Sequence, residues 1–303
     1  MNLSEVVVRP DDTLESLSRK VELATILGTL QSTLTDFRYI RSCWRKNCEE
    51  ERLLGVSLTG ICDHPTMGNS PDGMAYDQMG LDLDFVLSSL REVAVETNRV
   101  WAERLGIPQS TAITCVKPSG TVSQLVDSAS GIHPRFAKYY IRRVRNDKKD
   151  PISQFLIDNG IPYEEDVMNN QTYVFSFPRK SPDTAIIAGE MGAIEQLELW
   201  KTYAEHWCEH KPSMTCYYKD SEFLDVGAWV WKNLDIISGI SFLPYSDHVY
   251  PQAPYEAITE EKYNEMMKSM PESIDWTKLA AYENEDNTVG AQTLACTGNA
   301  CEI

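Results

Sequence analysis

One stretch decides the fold of this chain: Thr111-Ala-Ile-Thr-Cys-Val-Lys-Pro-Ser-Gly-Thr121, which continues as Val122-Ser-Gln-Leu-Val-Asp127. Residues 111–116 are rich in β-branched and apolar types and predict a buried strand. Lys117 to Gly120 predict a tight turn, and Thr121 predicts the first turn of a helix. The first amides of a helix lack intrahelical partners and favour anions, above all phosphates. The stretch therefore predicts either a phosphate-binding turn or an ordinary turn in which Ser and Thr cap a helix.

Four further segments read as strands, and helical patterns follow each of them. They comprise residues 2–8, 54–61, 172–177 and 214–218. Helices are predicted from about residue 11 and over 37–51, 83–105, 150–159, 190–210 and 221–235, then from residue 259 and over 273–282. Ile240 to Glu256 is predicted to be an ordered loop. Five strands alternating with helices indicate an α/β fold with a largely parallel sheet, whose ligands bind at the carboxyl ends of the strands.

The composition excludes several classes of protein. Hydrophobic residues make up 42% of the 303 residues and charged residues 24%, which is typical of globular proteins and not of disordered chains. A formal net charge of −17 argues against DNA binding, which needs a basic surface. The one local basic cluster is Arg142 to Arg145 with Lys148 and Lys149. It predicts either a solvated face or a local positive field that attracts a polyphosphate.

The cysteines and histidines do not form a predicted metal site. No run of about 18 apolar residues predicts a membrane span, and no secretory signal is recognisable, so a reducing, cytoplasmic compartment is expected for the eight cysteines. Cys62-Asp63-His64 are consecutive and cannot easily converge on one ion. His206 and His210 would share a helical face, but without the glutamate spacing of a metalloprotease.

The two ends of the chain carry separate expectations. Asn2 to Val8 opens directly in a strand, which predicts that the chain is cut from something longer. Cys296 and Cys301 lie in a polar segment with few apolar residues. This pattern predicts a mobile redox-active arm, with free surface thiols or an incomplete zinc site as the alternatives.

Together these segments resemble the large catalytic chain of ribonucleotide reductases, specifically the monomeric, adenosylcobalamin-dependent class II type. The resemblance lies in Lys117 to Leu125, in Gly131-Ile-His-Pro134 and Tyr140 to Arg143, and in Gly55 to Gly60, Gly239 to Tyr245, Tyr250 to Glu256 and the terminal cysteine pair. It covers nearly the whole chain but only the carboxyl-terminal part of a full enzyme.

The resemblance implies a specific function. Ribonucleoside di- or triphosphates would be reduced to deoxyribonucleotides by a thiyl-radical mechanism that uses adenosylcobalamin. The fold implied is half of a ten-stranded α/β barrel over residues 1–283, followed by a flexible redox tail over 284–303. Substrate phosphates would be held by Lys117, Pro118, Ser119, Gly120, Thr121, Val122 and Ser123, and Cys296 and Cys301 would re-reduce the active site.

The resemblance also implies partners. The radical-bearing cysteine is expected outside this chain, so activity would need the amino-terminal half of the reductase, and a thioredoxin-like protein would supply electrons. No metal, DNA or membrane partner is implied. Two alternatives stay open: a non-catalytic nucleotide- or cobalamin-binding module, and a fragment of a class I reductase, suggested by the pair Tyr217-Tyr218.

Overall fold

The computed structural model describes residues 1–69, 79–245 and 250–283, together with the backbone of Cys296–Thr297 and Ala300–Cys301. The chain divides into two compact units. Unit 1 comprises Met1–Arg135 and Pro182–Tyr245, and unit 2 comprises Phe136–Ser181 and residues 246–302. In the described part of the chain, no helix has both the length and the apolar character needed to span a membrane.

Unit 1 contains five strands in two parallel sheets. The first sheet has the order β1-β2-β3 and the second pairs β7 with β8. A backbone hydrogen bond of 3.0 Å from Ser213 to Val116 links β7 to the residue after β3. The strands are β1 (Asn2–Val7), β2 (Leu54–Thr59), β3 (Thr114–Cys115), β7 (Ser213–Tyr218) and β8 (Gly239–Pro244).

Helices cover one face of this sheet. α1 and α3 pack against each other, and the buried side chains of β2, such as Leu54, Val56 and Leu58, face the core they form. The buried Trp200 and Trp207 donate their indole N–H groups to the carbonyls of Pro212 and Cys115, so these rings enter the core without an unpaired donor. The helices are α1 (Leu14–Gln31), α2 (Ser42–Glu51), α3 (Leu83–Leu105), α4 (Val122–Leu125), α6 (Ala193–His206) and α7 (Phe223–Lys232).

The other face of the sheet is polar. Glu5 on β1, Ser57 on β2 and Cys115 on β3 are neighbours in the parallel register, so their side chains point to the same side. Thr59 lies two residues beyond Ser57 on the same face. This polar face leads directly into the loop that follows β3.

Unit 2 is built on an antiparallel sheet with the strand order β5-β6-β4-β9. Phe155, Leu156, Ile161 and Phe175 form its small core. Its elements are β4 (Tyr139–Asp147), α5 (Pro151–Asp158), β5 (Tyr163–Glu165), β6 (Thr172–Lys180), β9 (Tyr255–Ala257) and α8 (Glu260–Ser269), followed by a 3₁₀ segment at Trp276–Ala281.

The mixed α/β class is as predicted, but two strand assignments are wrong. Residues 172–177 were expected in the parallel sheet and instead pair antiparallel with β4, a strand that the basic composition of Arg142 to Arg145 concealed. Residues 240–256 were expected to be a loop, yet β8 pairs in parallel with β7 and β9 pairs with β4. Periodicity cannot reveal these pairings, because a strand's partner is chosen by the tertiary fold.

The helix predictions vary in accuracy. α3 has the predicted bounds and ends at Gly106, whose φ of 64° is the left-handed conformation of a helix C-terminus. α6 ends at His206, so His210 lies outside it and the expected shared helical face is wrong. The helix expected after Thr121 is a single turn, α4.

Candidate functional site

The loop of residues 117–123 leaves the carboxyl end of β3 at the polar face of the sheet. Its start is fixed by Ser57, whose hydroxyl accepts the Lys117 amide at 3.0 Å. Because α4 has only four residues, the helix dipole contributes little here. Any anion binding by this loop must rest on its individual hydrogen-bond donors.

Three consecutive amides of the loop are available. Among the residues that the structure describes, the N–H groups of Gly120, Thr121 and Val122 have no hydrogen-bond partner. The Thr121 hydroxyl and the Lys117 ammonium likewise have no partner among the described residues. These five donors form a polar rim of the kind that suits phosphate oxygens.

Two of the predicted hydroxyl donors are committed inside the protein. Ser119 Oγ lies 2.5 Å from Thr59 Oγ1, and the Gly131 amide donates to both hydroxyl oxygens at 3.2 and 2.9 Å. Ser123 Oγ points at the Gly120 carbonyl at 3.5 Å and is buried. The structure thus separates the predicted residues into an inner support and an outward-facing set.

Two glycines make this close packing possible. Gly131 has a φ of 54°, and a Cβ there would lie 2.8 Å from the Lys117 carbonyl oxygen. Gly60 has a φ of 80°, and its Cβ would lie 2.5 Å from the Val8 carbonyl oxygen. Both contacts are too short for any side chain, so the loops after β2 and β3 need glycine.

The floor beneath the loop is polar, and burial raises the pKa of both of its titratable groups. Burial raises the pKa of the Glu5 carboxyl, although a hydrogen bond with Ser119 acts in the opposite direction. Burial also raises the pKa of Cys115 to about 12, against the lowering effects of Lys117 and Ser57. A protonated thiol therefore lies under the loop at neutral pH, and it does not act as a nucleophile there.

A buried ion pair braces the segment that follows the loop. Arg135 binds the Asp63 carboxylate through two bonds of 2.8 Å, and both side chains are at most 5% exposed. Asp63 also accepts the Ala129 amide at 2.9 Å, while Arg135 bonds to Asp127. This bidentate pair fixes residues 127–135 against the turn that follows β2.

His133 links the same segment to β7. Its Nδ1 lies 2.8 Å from the Ser130 carbonyl, and its Nε2 lies 2.9 Å from the Thr215 amide. The amide can only donate and the carbonyl can only accept, so the ring is the neutral Nδ1–H tautomer. Burial lowers the pKa of His133, in agreement with this state.

The basic cluster on β4 offers no comparable set of free cations. Arg143 binds Glu256 at 2.6 Å, Arg145 binds Asp166 at 2.7 Å, and Lys148 binds Glu165 at 2.6 Å. Arg142 stacks on the Tyr255 ring at 4.5 Å. Of the two interpretations of this cluster, these ion pairs favour the solvated face over a local positive field that attracts a polyphosphate.

The described histidines and Cys62 make hydrogen bonds within the chain. His64 Nε2 lies 3.0 Å from the Asp12 carbonyl, His206 Nδ1 lies 3.3 Å from Ser88, and His210 Nε2 lies 2.8 Å from the Leu54 carbonyl. Cys62 donates to the Ile132 carbonyl. In the described ranges, no group of three or more candidate ligands converges.

Most of the predicted tail, residues 284–303, lies outside the described residues, as do 70–78 of the polar loop after Cys62 and 246–249. The side chains of Cys296 and Cys301 lie outside them too. Their backbones are described, and Cys296 stands opposite Cys301 in a short antiparallel pairing.

The resemblance already drew attention to His133, within Gly131 to Pro134, but sequence reasoning missed the other supporting residues of the site. Thr59, Ser130 and His133 hold the loop, and the Asp63–Arg135 pair braces it. One signal was present: Ser57 and Thr59 are polar residues at alternate positions of a buried strand, which marks a second, polar face.

Comparison with known proteins supports the resemblance. No model of a known protein family matches the chain. The adenosylcobalamin-dependent ribonucleoside-triphosphate reductase of Lactobacillus acidophilus is 25% identical over 93% of this chain and 40% of its own length. A probable adenosylcobalamin-dependent ribonucleoside-triphosphate reductase of Dictyostelium discoideum is 32% identical over 61% of this chain and 25% of its own length.

The fold is shared with a solved structure. The crystal structure of a B-12 dependent (class II) ribonucleotide reductase superposes with a TM-score of 0.77 at 23% identity, covering 95% of this chain and 42% of the other. The chain spans about 40% of the length of the curated relatives that it matches over most of its own length. The predicted resemblance is therefore confirmed: this chain is a relative, over most of its length, of part of the adenosylcobalamin-dependent class II ribonucleotide reductases.

Proposed function

We propose that this chain supplies the substrate-phosphate loop and the reducing cysteine tail of an adenosylcobalamin-dependent ribonucleotide reductase. One observation carries the proposal: the amides of Gly120 to Val122, which have no partner among the described residues, lie beside Lys117 at the end of β3 in a chain related to such enzymes. The substrate is a ribonucleoside di- or triphosphate and the product is the corresponding deoxyribonucleotide.

The proposed reaction replaces the ribose 2′-hydroxyl by hydrogen. The C2′–O bond breaks, a C2′–H bond forms, and the oxygen leaves as water. Two thiols supply the two electrons and become a disulfide, and a thiyl radical starts and ends the cycle. Adenosylcobalamin supplies the radical chemistry when it is bound.

In this proposal the residues of the loop bind and orient the substrate. The amides of Gly120, Thr121 and Val122 and the Thr121 hydroxyl donate to phosphate oxygens, and the Lys117 ammonium balances their charge. Ser119 and Ser123 hold the loop in shape, in keeping with their internal hydrogen bonds. Pro118 limits the backbone freedom of the turn.

Cys296 and Cys301 act as the electron relay in this proposal. Directly opposed residues of an antiparallel pair have Cα atoms about 4.5–5.5 Å apart, a separation that a disulfide can bridge. The pair would exchange with an active-site disulfide and be reduced by a thioredoxin-like protein.

The catalytic assembly is proposed to need a second polypeptide segment. The five parallel strands of unit 1 would form half of a ten-stranded barrel, and the amino-terminal half of the reductase would supply the other strands and the radical-bearing cysteine. Residues 1–283 would then act as the folded part and 284–303 as the flexible tail.

The cofactor is assigned to no side chain. Every histidine ring in the described ranges makes at least one hydrogen bond within the chain. Adenosylcobalamin enters this proposal through the relatives, which are adenosylcobalamin-dependent reductases.

Reconstitution tests the proposal. This chain would be mixed with the amino-terminal part of a related reductase, adenosylcobalamin, a ribonucleoside triphosphate and thioredoxin with its reductase. We expect deoxyribonucleotide formation that depends on both polypeptides. No product, with the two polypeptides shown to associate, would contradict the proposal and favour a non-catalytic nucleotide-binding module.

The tail is tested in the same assay. The double variant Cys296→Ser/Cys301→Ser should lose turnover with thioredoxin but keep turnover with a small dithiol that reaches the active site directly. Cys43→Ser/Cys48→Ser is the matched control, because these thiols lie on or near the surface of α2. An equal loss in both double variants would rule out the specific role of the tail.

A further inference from the structure

His133 occupies a connecting position in unit 1. Its ring accepts the Thr215 amide of β7 on one side and donates to the Ser130 carbonyl on the other. The residue is 5% exposed, so no water competes for these two bonds. The imidazole thus ties a sheet strand to the loop segment of residues 128–134.

Ser130 and its neighbour Gly131 contact the candidate phosphate loop directly. Its hydroxyl accepts the Ser119 amide at 3.2 Å, and the neighbouring Gly131 amide donates to Ser119 Oγ at 3.2 Å. Ser119 is therefore held at both its backbone and its side chain by the segment that His133 anchors. The next three residues carry the unpaired amides, so the placement of Ser119 determines where those amides point.

We propose that His133 is a positioning residue for the phosphate loop, acting through Ser130 on Ser119. This inference rests on the proposed phosphate-binding function of residues 117–123. It assigns different tasks to the two ring nitrogens: Nε2 anchors the ring to β7, and Nδ1 orients the Ser130 carbonyl and, with it, the support of Ser119.

A purely structural role would make a different prediction. If His133 only fills space in the core, any replacement should weaken ligand binding in proportion to the loss of stability. If it orients the loop, the bond to Ser130 should matter for phosphate binding more than the bond to Thr215. The two ring nitrogens can be replaced one at a time, because the amide of Asn reaches the position of Nδ1 and the amide of Gln reaches the position of Nε2.

The test uses His133→Asn, His133→Gln and the control His210→Asn in the full 303-residue chain. His210 also bonds a backbone carbonyl, that of Leu54, but at the opposite end of β2 from Thr59. Binding of inorganic tripolyphosphate is measured by calorimetry, and thermal unfolding is measured for each variant.

We expect the Gln variant to bind tripolyphosphate about fivefold to tenfold more weakly than wild type, the effect of losing one orienting hydrogen bond. The affinity of His133→Asn and of the control His210→Asn for tripolyphosphate should stay within about twofold of wild type. The first variant keeps a donor to the Ser130 carbonyl, and the second changes a residue that makes no hydrogen bond with the described loop residues. Faster exchange of the hydrogen-bonded amides of Ser119 and Ser123 in the Gln variant, measured without ligand, should accompany the loss.

Two outcomes separate the inference from the function on which it rests. Wild-type binding that is unchanged in the Gln variant, or weakened equally in both His133 variants in step with their stability, would overturn the inference alone. Absence of saturable binding by the wild-type chain would overturn both the phosphate site and the role of His133.

Discussion

Two regions of this chain were candidates for anion binding, and they differ in a way that composition does not show. The strand β4 carries three arginines and is followed by two lysines, whereas the loop of residues 117–123 carries one lysine. On β4, Arg143 and Arg145 are neutralised by Glu256 and Asp166, and Arg142 stacks on the ring of Tyr255. In the loop, five donors have no partner among the described residues.

The difference favours the loop as the proposed anion site, because its donors are uncommitted among the described residues although its cations are fewer. Charged groups that already hold carboxylates gain little from a phosphate, because the new bonds replace existing ones. A phosphate that binds the amides of Gly120 to Val122 would replace no hydrogen bond among the described residues. This distinction can be tested by pairing each change in unit 1 with a matched change in unit 2 or at a remote position.

The largest expected effect is a loss of folding stability when the acidic partner of an ion pair is removed. Asp63→Ala leaves Arg135 buried without its main partner and should lower the free energy of unfolding by about 3–5 kcal/mol. Asp166→Ala should cost less, about 1–3 kcal/mol, because Arg145 is 28% exposed and keeps its bond to Gln252. Chemical denaturation of both variants decides the ranking, and an equal loss would contradict it.

The next effect concerns the glycine that supports the loop. Gly131→Ala places an alanine at positive φ, at a cost of about 1–2 kcal/mol, and its overlap with the Lys117 carbonyl adds about 1–3 kcal/mol. Gly106, just after α3, has a similar φ, and a Cβ there would meet no atom within 4 Å. Gly106→Ala should therefore cost only the conformational term of about 1–2 kcal/mol. Denaturation midpoints give the comparison, which fails if the two variants are equally stable.

Lysine and arginine substitutions compare the two regions directly. Lys117→Ala should weaken tripolyphosphate binding about tenfold, the value of one charge-assisted hydrogen bond of about 1.5 kcal/mol. Arg142→Ala, on β4, should change the affinity by less than about twofold, because its guanidinium already stacks on Tyr255. A larger loss from Arg142→Ala, measured by calorimetry, would mean that β4 is the anion site.

The smallest effect is a dependence of stability on pH. Burial lowers the pKa of His133 in the folded chain, so the unfolded chain takes up its proton first on acidification. The contribution of His133 to the free energy of unfolding is fully present above the pKa of the unfolded chain, about 6.5. Below that pH it decreases by up to about 1.4 kcal/mol per pH unit. The raised pKa of Glu5 acts in the opposite direction above about 4.5.

The contribution of His133 is isolated by comparing wild type with His133→Gln from pH 5 to 7.5. Glu5 is present in both proteins, so its effect cancels in the difference. We expect the destabilisation on acidification to be smaller in the variant. Parallel curves for the two proteins would show that His133 does not titrate as its burial requires.

Much of the fold could be predicted because its signals are local. α3 repeats apolar residues at helical spacing and stops before a glycine, and β1, β2 and β7 lie close to their predicted positions. β4 and β8 could not be predicted in the same way. Their residues are half-buried and polar or proline-bearing, and they become strands because β6 and β7 offer them partners.

The sequence by itself determined the α/β character, the turn at Lys117 to Gly120 and the resemblance to class II reductases, since these depend on residues near one another in the chain. Only the tertiary structure decided which donors of that turn are free. Ser119 is occupied by Thr59 and Gly131, which come from other loops and strands, while the amides of Gly120 to Val122 are not. Hydrogen-bond partners distant in sequence are set by how the strands and loops pack together, which no local pattern records.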